Sequence, residues 1–374
     1  MDTRKKTLIV YASAGHGHEK AARSIDEACR DSGHFTSELV DTIKLAPGFF
    51  GEFYRQSYLL QIQYMPRLWG VFYYLSDNGW LYNGLLRFLR RFLNLLTSAL
   101  FVRHLIEKKP DIIIATHFMA VEVAGNLRRR KLIASKIIAV ITDYLPHYVW
   151  MDDAVDAYVV AADFTKNELI KRGVSAEKIY VFGIPIEKKF MDLTPREEIA
   201  RRLGVRSDVF TALLTSGGGG IGAMADVVEK ILSLDKPFQL LVVCGMNKKL
   251  FLHLRSFAGH HPLLKVYEFV NNMDELMSVS DIVIGKGGGL TVTEALAKKK
   301  PMILFRSVPG QETRNTECLE ALGAAVRASS VKEVADKIVY FGDHPEELKR
   351  MKEKVSLLSK PDAARKISEL AEKL

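Results

Sequence analysis

Cysteine is nearly absent from this chain of 374 residues: Cys29, Cys244 and Cys318 are the three present, and they lie far apart. Such spacing excludes a disulfide framework and matches no zinc-ligand pattern, so a reduced, cytoplasmic setting is expected. Long apolar runs are missing too. A membrane-crossing helix needs roughly 20 apolar residues, and the nearest stretch, 68–86, is broken by Asp77, Asn78 and Gly79. The apolar run Leu8–Tyr11 behind Arg4-Lys5-Lys6 is too short for a signal-peptide core and leads into a glycine-rich loop, so it reads as a first strand. Carboxylate clusters that could hold a divalent metal are lacking as well. Asp152-Asp153 has no further ligands near it and reads as a solvated helix start. No metal and no cofactor are expected. Two phosphate-binding signatures fail in turn. Gly15-His16-Gly17-His18 has Lys20 at the third glycine position of a dinucleotide fingerprint, and no G-K-[ST] ends it as a P-loop.

One absence is local. From Leu81 to Leu105 there is no acid, only Arg87, Arg90, Arg91, Arg103 and His104. The formal net charge of +9 arises between Arg55 and Lys136, where thirteen Lys and Arg face four Asp and Glu. The same region is aromatic: fifteen of the 35 Phe, Tyr and Trp residues fall within 49–105. Leucine and phenylalanine recur every three or four residues from Leu85 to Leu96, so the stretch is amphipathic and basic. That combination suits an interfacial segment on an anionic membrane, with Trp69, Phe72, Tyr73 and Trp80 among the headgroups and Arg87, Arg90 and Arg91 on anionic lipid. Nucleic acid is the poorer partner, because it has no use for so many leucines. A protein peripheral to the cytoplasmic face of a membrane is expected.

Elsewhere short β-branched runs alternate with helical stretches, the pattern of parallel-sheet α/β domains. Strands are expected at Lys6–Ala12, Asp111–Ala115, Lys136–Thr142, Ala157–Ala161 and Ile179–Val181. A second series follows at Val209–Leu214, Gln239–Cys244, Lys265–Phe269, Ile282–Ile284 and Pro301–Phe305. Helices are expected at Glu19–Ser32, with Ala22, Ile25 and Ala28 on one face, and from Ala223 and Thr291. The division reads as an N-terminal domain at 1–193, a C-terminal domain at 194–355, and a final helix within 356–374 that crosses back to the first domain. Gly183-Ile184-Pro185-Ile186 reads as a stiff hinge before the boundary.

Four loops carry chemistry. In the first, Gly17 lets the backbone approach a ligand at the end of the first strand, and its two histidines, His16 and His18, are candidates for a general base. The second, Ser216-Gly217-Gly218-Gly219-Gly220, also lies between strand and helix, where exposed amides and the helix dipole receive phosphate. The third runs from Gly287-Gly288-Gly289 through Thr291 to Glu294, whose carboxylate can accept two ribose hydroxyls. Two such cradles in one domain suit a nucleoside diphosphate bearing a further group. The fourth, Val308 to Asn315, sets the Gln311 amide beside the Glu312 carboxylate, a pair able to read sugar hydroxyls.

In this order and spacing the four loops resemble the family of bacterial processive diacylglycerol glucosyltransferases and plant monogalactosyldiacylglycerol synthases, over nearly the whole chain. The most specific stretches are Ile141-Thr142-Asp143 through His147 to Trp150, Val160 to Asp163, Gly183 to Ile186, and Gly287 to Asn315. The resemblance implies a GT-B fold, with two Rossmann-like parallel-sheet domains facing an interdomain cleft. It implies an inverting, metal-independent transfer of a hexose from a UDP-sugar to a membrane lipid, diacylglycerol above all. His18 falls on the family's loop histidine and becomes the expected base. Phe269-Val270 matches the segment holding uracil, Gln311 and Glu312 the sugar-reading pair, with Asn315 after them, and Asp143, His147 and Trp150 fall in the acceptor region. One departure stands out: Gly287 replaces the proline of a Lys-Pro-Gly-Gly loop, which leaves the loop freer. A UDP-sugar epimerase on the same fold and a membrane-docking UDP-sugar sensor without turnover are the competing readings. The basic aromatic segment argues against the first, and the presence of His18 with Gln311-Glu312 against the second.

Overall fold

Short β-branched strands buried on both faces build two parallel sheets, as α/β packing requires. A computed structural model describes residues 4–13, 15–46, 48, 51, 56–57, 60–61, 64–79, 98–215, 223–234 and 236–374. The chain forms two units: Met1–Glu187 with Val308–Gln311 and Lys360–Leu374, and Lys188–Ser307 with Glu312–Ser359. The division thus falls at 187/188 rather than 193/194, directly after the Gly183–Ile186 stretch.

The first unit contains β1 (Lys5–Tyr11), α1 (His16–Ser32), β2 (Phe35–Asp41), α2 (Pro66–Ser76), α3 (Ala99–Lys108), β3 (Ile112–Ala115), α4 (Phe118–Arg129), β4 (Lys136–Val140), β5 (Ala157–Val159), α5 (Asp163–Lys171) and β6 (Ile179–Tyr180). Its six strands run in the order β2-β1-β3-β4-β5-β6. β3, Ile-Ile-Ile-Ala, is buried along its whole length, and Val10 pairs with both Val40 and Ala115, so three strands end level. α1 buries Ala21, Ala22, Ile25, Ala28 and Cys29 and stops at Gly33, whose φ of 73° is the left-handed cap that glycine favours. The chain's last helix, Ala363–Lys373, adds Ile367, Leu370 and Ala371 to the core beneath α1. α3 is a core element too. Phe101 and Leu105 are fully buried, so the end of the basic aromatic segment belongs to the interior rather than to a membrane.

The second unit contains α6 (Arg196–Leu203), β7 (Thr211–Thr215), α7 (Met224–Leu232), β8 (Gln239–Val243), α8 (Lys248–Ala258), β9 (Leu264–Tyr267), α9 (Met273–Val279), β10 (Ile282–Gly285), α10 (Gly289–Ala297), β11 (Met302–Phe305), α11 (Gln311–Ala321), β12 (Ala325–Ala328), α12 (Val331–Asp343) and α13 (Pro345–Leu358). Its sheet runs β12-β11-β10-β7-β8-β9, so strand order reverses between β7 and β10. Among the described residues, no helix is long and apolar enough to cross a membrane.

Candidate active site

In a doubly wound sheet, ligands bind beyond the carboxyl ends of the strands where the order reverses. In the first unit that point lies between β1 and β3. Two loops meet there: the one that enters α1 and the one that joins β3 to α4.

His18 sits in the first turn of α1. Its Nδ1 lies 2.6 Å from the Thr116 carbonyl oxygen and 3.2 Å from the Thr142 hydroxyl. A carbonyl only accepts, so Nδ1 carries the proton and Nε2 keeps the basic lone pair. The Thr116 hydroxyl donates to the His18 carbonyl oxygen at 3.0 Å, holding the residue from its backbone side as well. Burial pushes the imidazole pKa below its ordinary value, against a smaller opposing effect of the Thr116 carbonyl. The ring is therefore neutral, fixed in one tautomer, and fit to take a proton. His16 is exposed at the start of the same helix, and Gly17 is half-buried between the two histidines.

A third histidine escaped the sequence reading. His117 is 4% exposed and caps α4, its Nδ1 accepting from the Met119 amide at 3.4 Å. Its ring stands edge-on to His18, centroids 5.0 Å apart, with Phe118 packed on it at 4.2 Å. Only the pairing of β1 with β3 brings residues 18 and 117 together.

Of the three acceptor-region residues, two are buried. His147 and Trp150 are 6% and 3% exposed. His147 Nδ1 accepts from the Val149 amide at 3.1 Å, and its Nε2 lies 3.2 Å from the Tyr73 carbonyl. Asp143 is half-buried between Thr142 and Tyr144. Asp152 is not solvated: it is 7% exposed, accepts from the Ala154 amide at 2.9 Å and forms a two-pronged pair with Arg129. Gly125 explains the fit, because a Cβ there would lie 2.7 Å from the Asp152 carboxylate.

The expected membrane residues divide. Phe72 is 59% exposed on α2, and Trp69 is half-buried. Tyr73 turns inward instead, its ring 4.8 Å from that of His147. Trp80, Arg87, Arg90 and Arg91 lie outside the described residues, as do Ser216, Gly217, Gly218, Gly219 and Gly220.

In the second unit the reversal point lies between β7 and β10, where the loops leading to α7 and α10 begin. Gly287 is buried in the α10 loop. Its amide donates to the Ser307 hydroxyl at 3.1 Å, and its carbonyl accepts from the Asn315 side-chain amide at 2.9 Å. Asn315, fully buried, thus shapes the loop's backbone. Gly288 and Gly289 open α10, Thr291 is half-buried in its first turn, and Glu294 is 4% exposed further along. Gln311 and Glu312 open α11. Phe269, just beyond β9, is 58% exposed and Val270 half-buried.

Lys286 was not singled out from sequence. With Thr215, Ala223, Met224 and Arg306 it lines a cavity at the ends of β7, β10 and β11, beside the N-terminus of α7. Burial lowers its ammonium pKa, and nearby Glu312 opposes that shift. Two non-glycine residues of this lining hold left-handed backbone, Ala223 at φ 73° and Arg306 at φ 52°. That conformation costs roughly 1–2 kcal/mol each and tends to gather at ligand sites. Lys286, Arg306 and the N-terminus of α7 thus stand at the rim of a small, mainly apolar cavity at the ends of three strands.

Two doubly wound sheets in one chain, one with an oriented histidine at its reversal point and the other with the Gly287-Gly288-Gly289 loop at its own, have the arrangement of a glycosyltransferase of the GT-B fold. Solved structures share that fold. The crystal structure of Acinetobacter baumannii MurG matches over 99% of this chain and 100% of its own, with a TM-score of 0.69 at 16% identity. Anabaena Alr3699/HepE in complex with UDP matches with a TM-score of 0.57 at 15% identity, over 99% and 100% of the two chains. Residues 18–186 match the family model of monogalactosyldiacylglycerol (MGDG) synthase, and residues 211–367 that of the glycosyltransferase family 28 C-terminal domain. The processive diacylglycerol beta-glucosyltransferase of Bacillus pumilus (strain SAFR-032) is 31% identical over 360 residues, 96% of this chain and 92% of its own. The chain belongs to this family of glycolipid-forming glycosyltransferases.

Proposed function

We propose that the protein transfers a hexose from a UDP-sugar to a membrane lipid, diacylglycerol first among candidates, with inversion at the anomeric carbon and without a metal ion. The observation that supports this is His18: half-buried, its pKa lowered, and oriented by Thr116 so that Nε2 keeps its lone pair. As the acceptor oxygen attacks the anomeric carbon, Nε2 takes its proton. The bond from that carbon to the β-phosphate oxygen breaks, and UDP leaves with the electron pair. The second unit receives the growing charge through Lys286, Arg306 and the N-terminus of α7. Glu294 and Phe269-Val270 are the candidates for ribose and uracil, and Gln311-Glu312 for the sugar.

Lipid access is supported by α2. Leu68, Val71, Phe72 and Leu75 recur at helical spacing on one face and are 44%, 54%, 59% and 51% exposed. A stripe of this kind lies in the headgroup region with little penalty, which supports a reading of the protein as peripheral to a membrane.

Purified protein in EDTA is to be mixed with diacylglycerol vesicles and UDP-glucose, UDP-galactose or UDP-N-acetylglucosamine, with products followed by mass spectrometry. The relatives' name makes glucose the first donor to try. A β-linked glycolipid formed in EDTA is expected. An α-linked product, or turnover restored only by added metal, would refute the mechanism. General-base catalysis contributes about 10²–10⁴-fold, so His18→Ala should keep UDP binding and lose turnover by that factor.

A further inference from the structure

Asp77 stands at the carboxyl end of α2, where the helix dipole disfavours an acid. Its side chain is nevertheless only 5% exposed. One carboxylate oxygen accepts from the Tyr148 amide at 2.8 Å and from Arg172 at 2.7 Å; the other accepts from Arg172 at 3.1 Å. The guanidinium, 10% exposed, lies over the Tyr148 ring, 4.6 Å from its centroid. One turn earlier, His147 Nε2 meets the Tyr73 carbonyl at 3.2 Å and the Ser76 hydroxyl at 3.1 Å. Because Nδ1 accepts from Val149, the proton is on Nε2 and donates toward α2. The sign of the charge and the burial together indicate that Asp77 fastens α2 to the chain around residue 148 rather than stabilising the helix itself.

The segment it grips leads to the base. Thr142, whose hydroxyl lies 3.2 Å from His18 Nδ1, begins the same stretch. The chain between is held in the core: Tyr144 is 3% exposed, and its carbonyl accepts from the Thr165 hydroxyl at 2.7 Å. A short, packed segment therefore joins His18 at one end to the exposed apolar helix at the other.

We propose that Asp77 and Arg172 are positioning residues for a bilayer-borne acceptor. They fix α2, the lipid-facing helix, relative to His18, so that a hydroxyl presented at the bilayer surface reaches the base at the right depth. The inference rests on the lipid-glycosyltransferase reading given above. An acceptor in a bilayer is constrained by the surface on which α2 sits; a short-chain acceptor dissolved as monomers is not. Loosening the tie should therefore separate the two substrates.

The test compares wild type and Asp77→Asn on long-chain diacylglycerol in phosphatidylglycerol vesicles and on dihexanoylglycerol in solution. For the vesicle substrate, a 10- to 100-fold loss is expected, carried by the apparent KM, a size roughly that of an ångström-scale misplacement. For the soluble substrate, kcat should stay within about twofold of wild type, since the donor site and base are untouched. Arg172→Lys keeps the charge but loses the two-pronged fork, and it should show the same split if Asp77→Asn fails to fold. Equal losses on both substrates would make the pair merely structural, and no loss on either would remove the positioning role. Failure of the wild type on both acceptors overturns the parent reading, and with it the inference, and is distinguishable because no split is then measurable.

Discussion

Replacing Gly287 with alanine tests whether the α10 loop is the donor's diphosphate cradle. A Cβ built on Gly287 lies 2.3 Å from the Glu312 carbonyl oxygen and 2.5 Å from the Thr316 hydroxyl, both distances that real Cβ atoms do not adopt. Neither neighbour can yield freely. The Thr316 hydroxyl donates to that same carbonyl at 2.9 Å and lies 2.8 Å from the Ser307 hydroxyl, which in turn receives the Gly287 amide. Asn315 holds the Gly287 carbonyl from the other side. The added methyl must displace either the loop or the first turn of α11. Overpacking of this kind costs about 1–3 kcal/mol, and each strained hydrogen bond adds roughly 0.5–1.5 kcal/mol.

The free variant relieves that strain by moving the loop, and a bound donor must then restore it. If about 2–3 kcal/mol is restored on binding, affinity for UDP-sugar falls roughly 30- to 150-fold. Titration calorimetry with UDP and UDP-glucose reads this directly, with thermal denaturation confirming that the variant is folded. Gly259→Ala is the control, since a Cβ there meets nothing within 4 Å. Wild-type affinity in Gly287→Ala would show that the loop does not hold the donor. A proline at 287, as in the Lys-Pro-Gly-Gly loop of bacterial relatives, would add the same Cβ and also lack the N–H that Ser307 accepts. Glycine here is thus matched to a close approach of α11.

Two further predictions follow from the first unit. Burial lowers the His18 pKa, so the base stays deprotonated to lower pH than free imidazole. The acid limb of kcat/KM should then lie below about 6.5 and vanish in His18→Gln; a midpoint above 7 would contradict the half-buried, neutral histidine. Arg129→Met leaves the Asp152 carboxylate, with a side chain only 5% exposed, without its ion-pair partner. Because Arg129 itself is 38% exposed, the loss should be nearer 2 kcal/mol than the 3–5 of a wholly buried pair. Urea denaturation measures it, UDP affinity should be unchanged, and unaltered stability would show the pair to be idle.

The fold was legible where strands are buried on both faces. Ile112–Ala115, Lys136–Val140 and Gln239–Val243 lie inside the runs that β-branched content marks out. The two strands that the sequence reading passed over, Phe35–Asp41 and Ala325–Ala328, are both at sheet edges. An edge strand pairs on one side only and can carry polar residues, so Ser37 and Glu38 in one and Arg327 in the other dilute the apolar signal. The basic aromatic segment misled at one end for a related reason. Phe101 and Leu105 repeat at helical spacing whether the apolar face meets lipid or a sheet, and periodicity alone does not name the partner.

The site divides along the same line. Glycine loops after strands are local signals, and they mark out His18, Gly287 and Glu294 as candidates. The groups that orient the His18 ring come from far along the chain: Thr116 and Thr142 are 98 and 124 residues away. No motif announces a threonine carbonyl. It becomes a ring's partner because β1 pairs with β3 in a register that ends both strands level, so the residue after β3 faces the first turn of α1. Lys286 and Arg306 follow the same logic, since each leaves the end of a neighbouring strand, β10 or β11. What the sequence could not show was therefore set by strand order, and once β1 stands beside β3 and β7 beside β10, the tautomer of His18 and the meeting of Lys286 with Arg306 at one cavity follow from position.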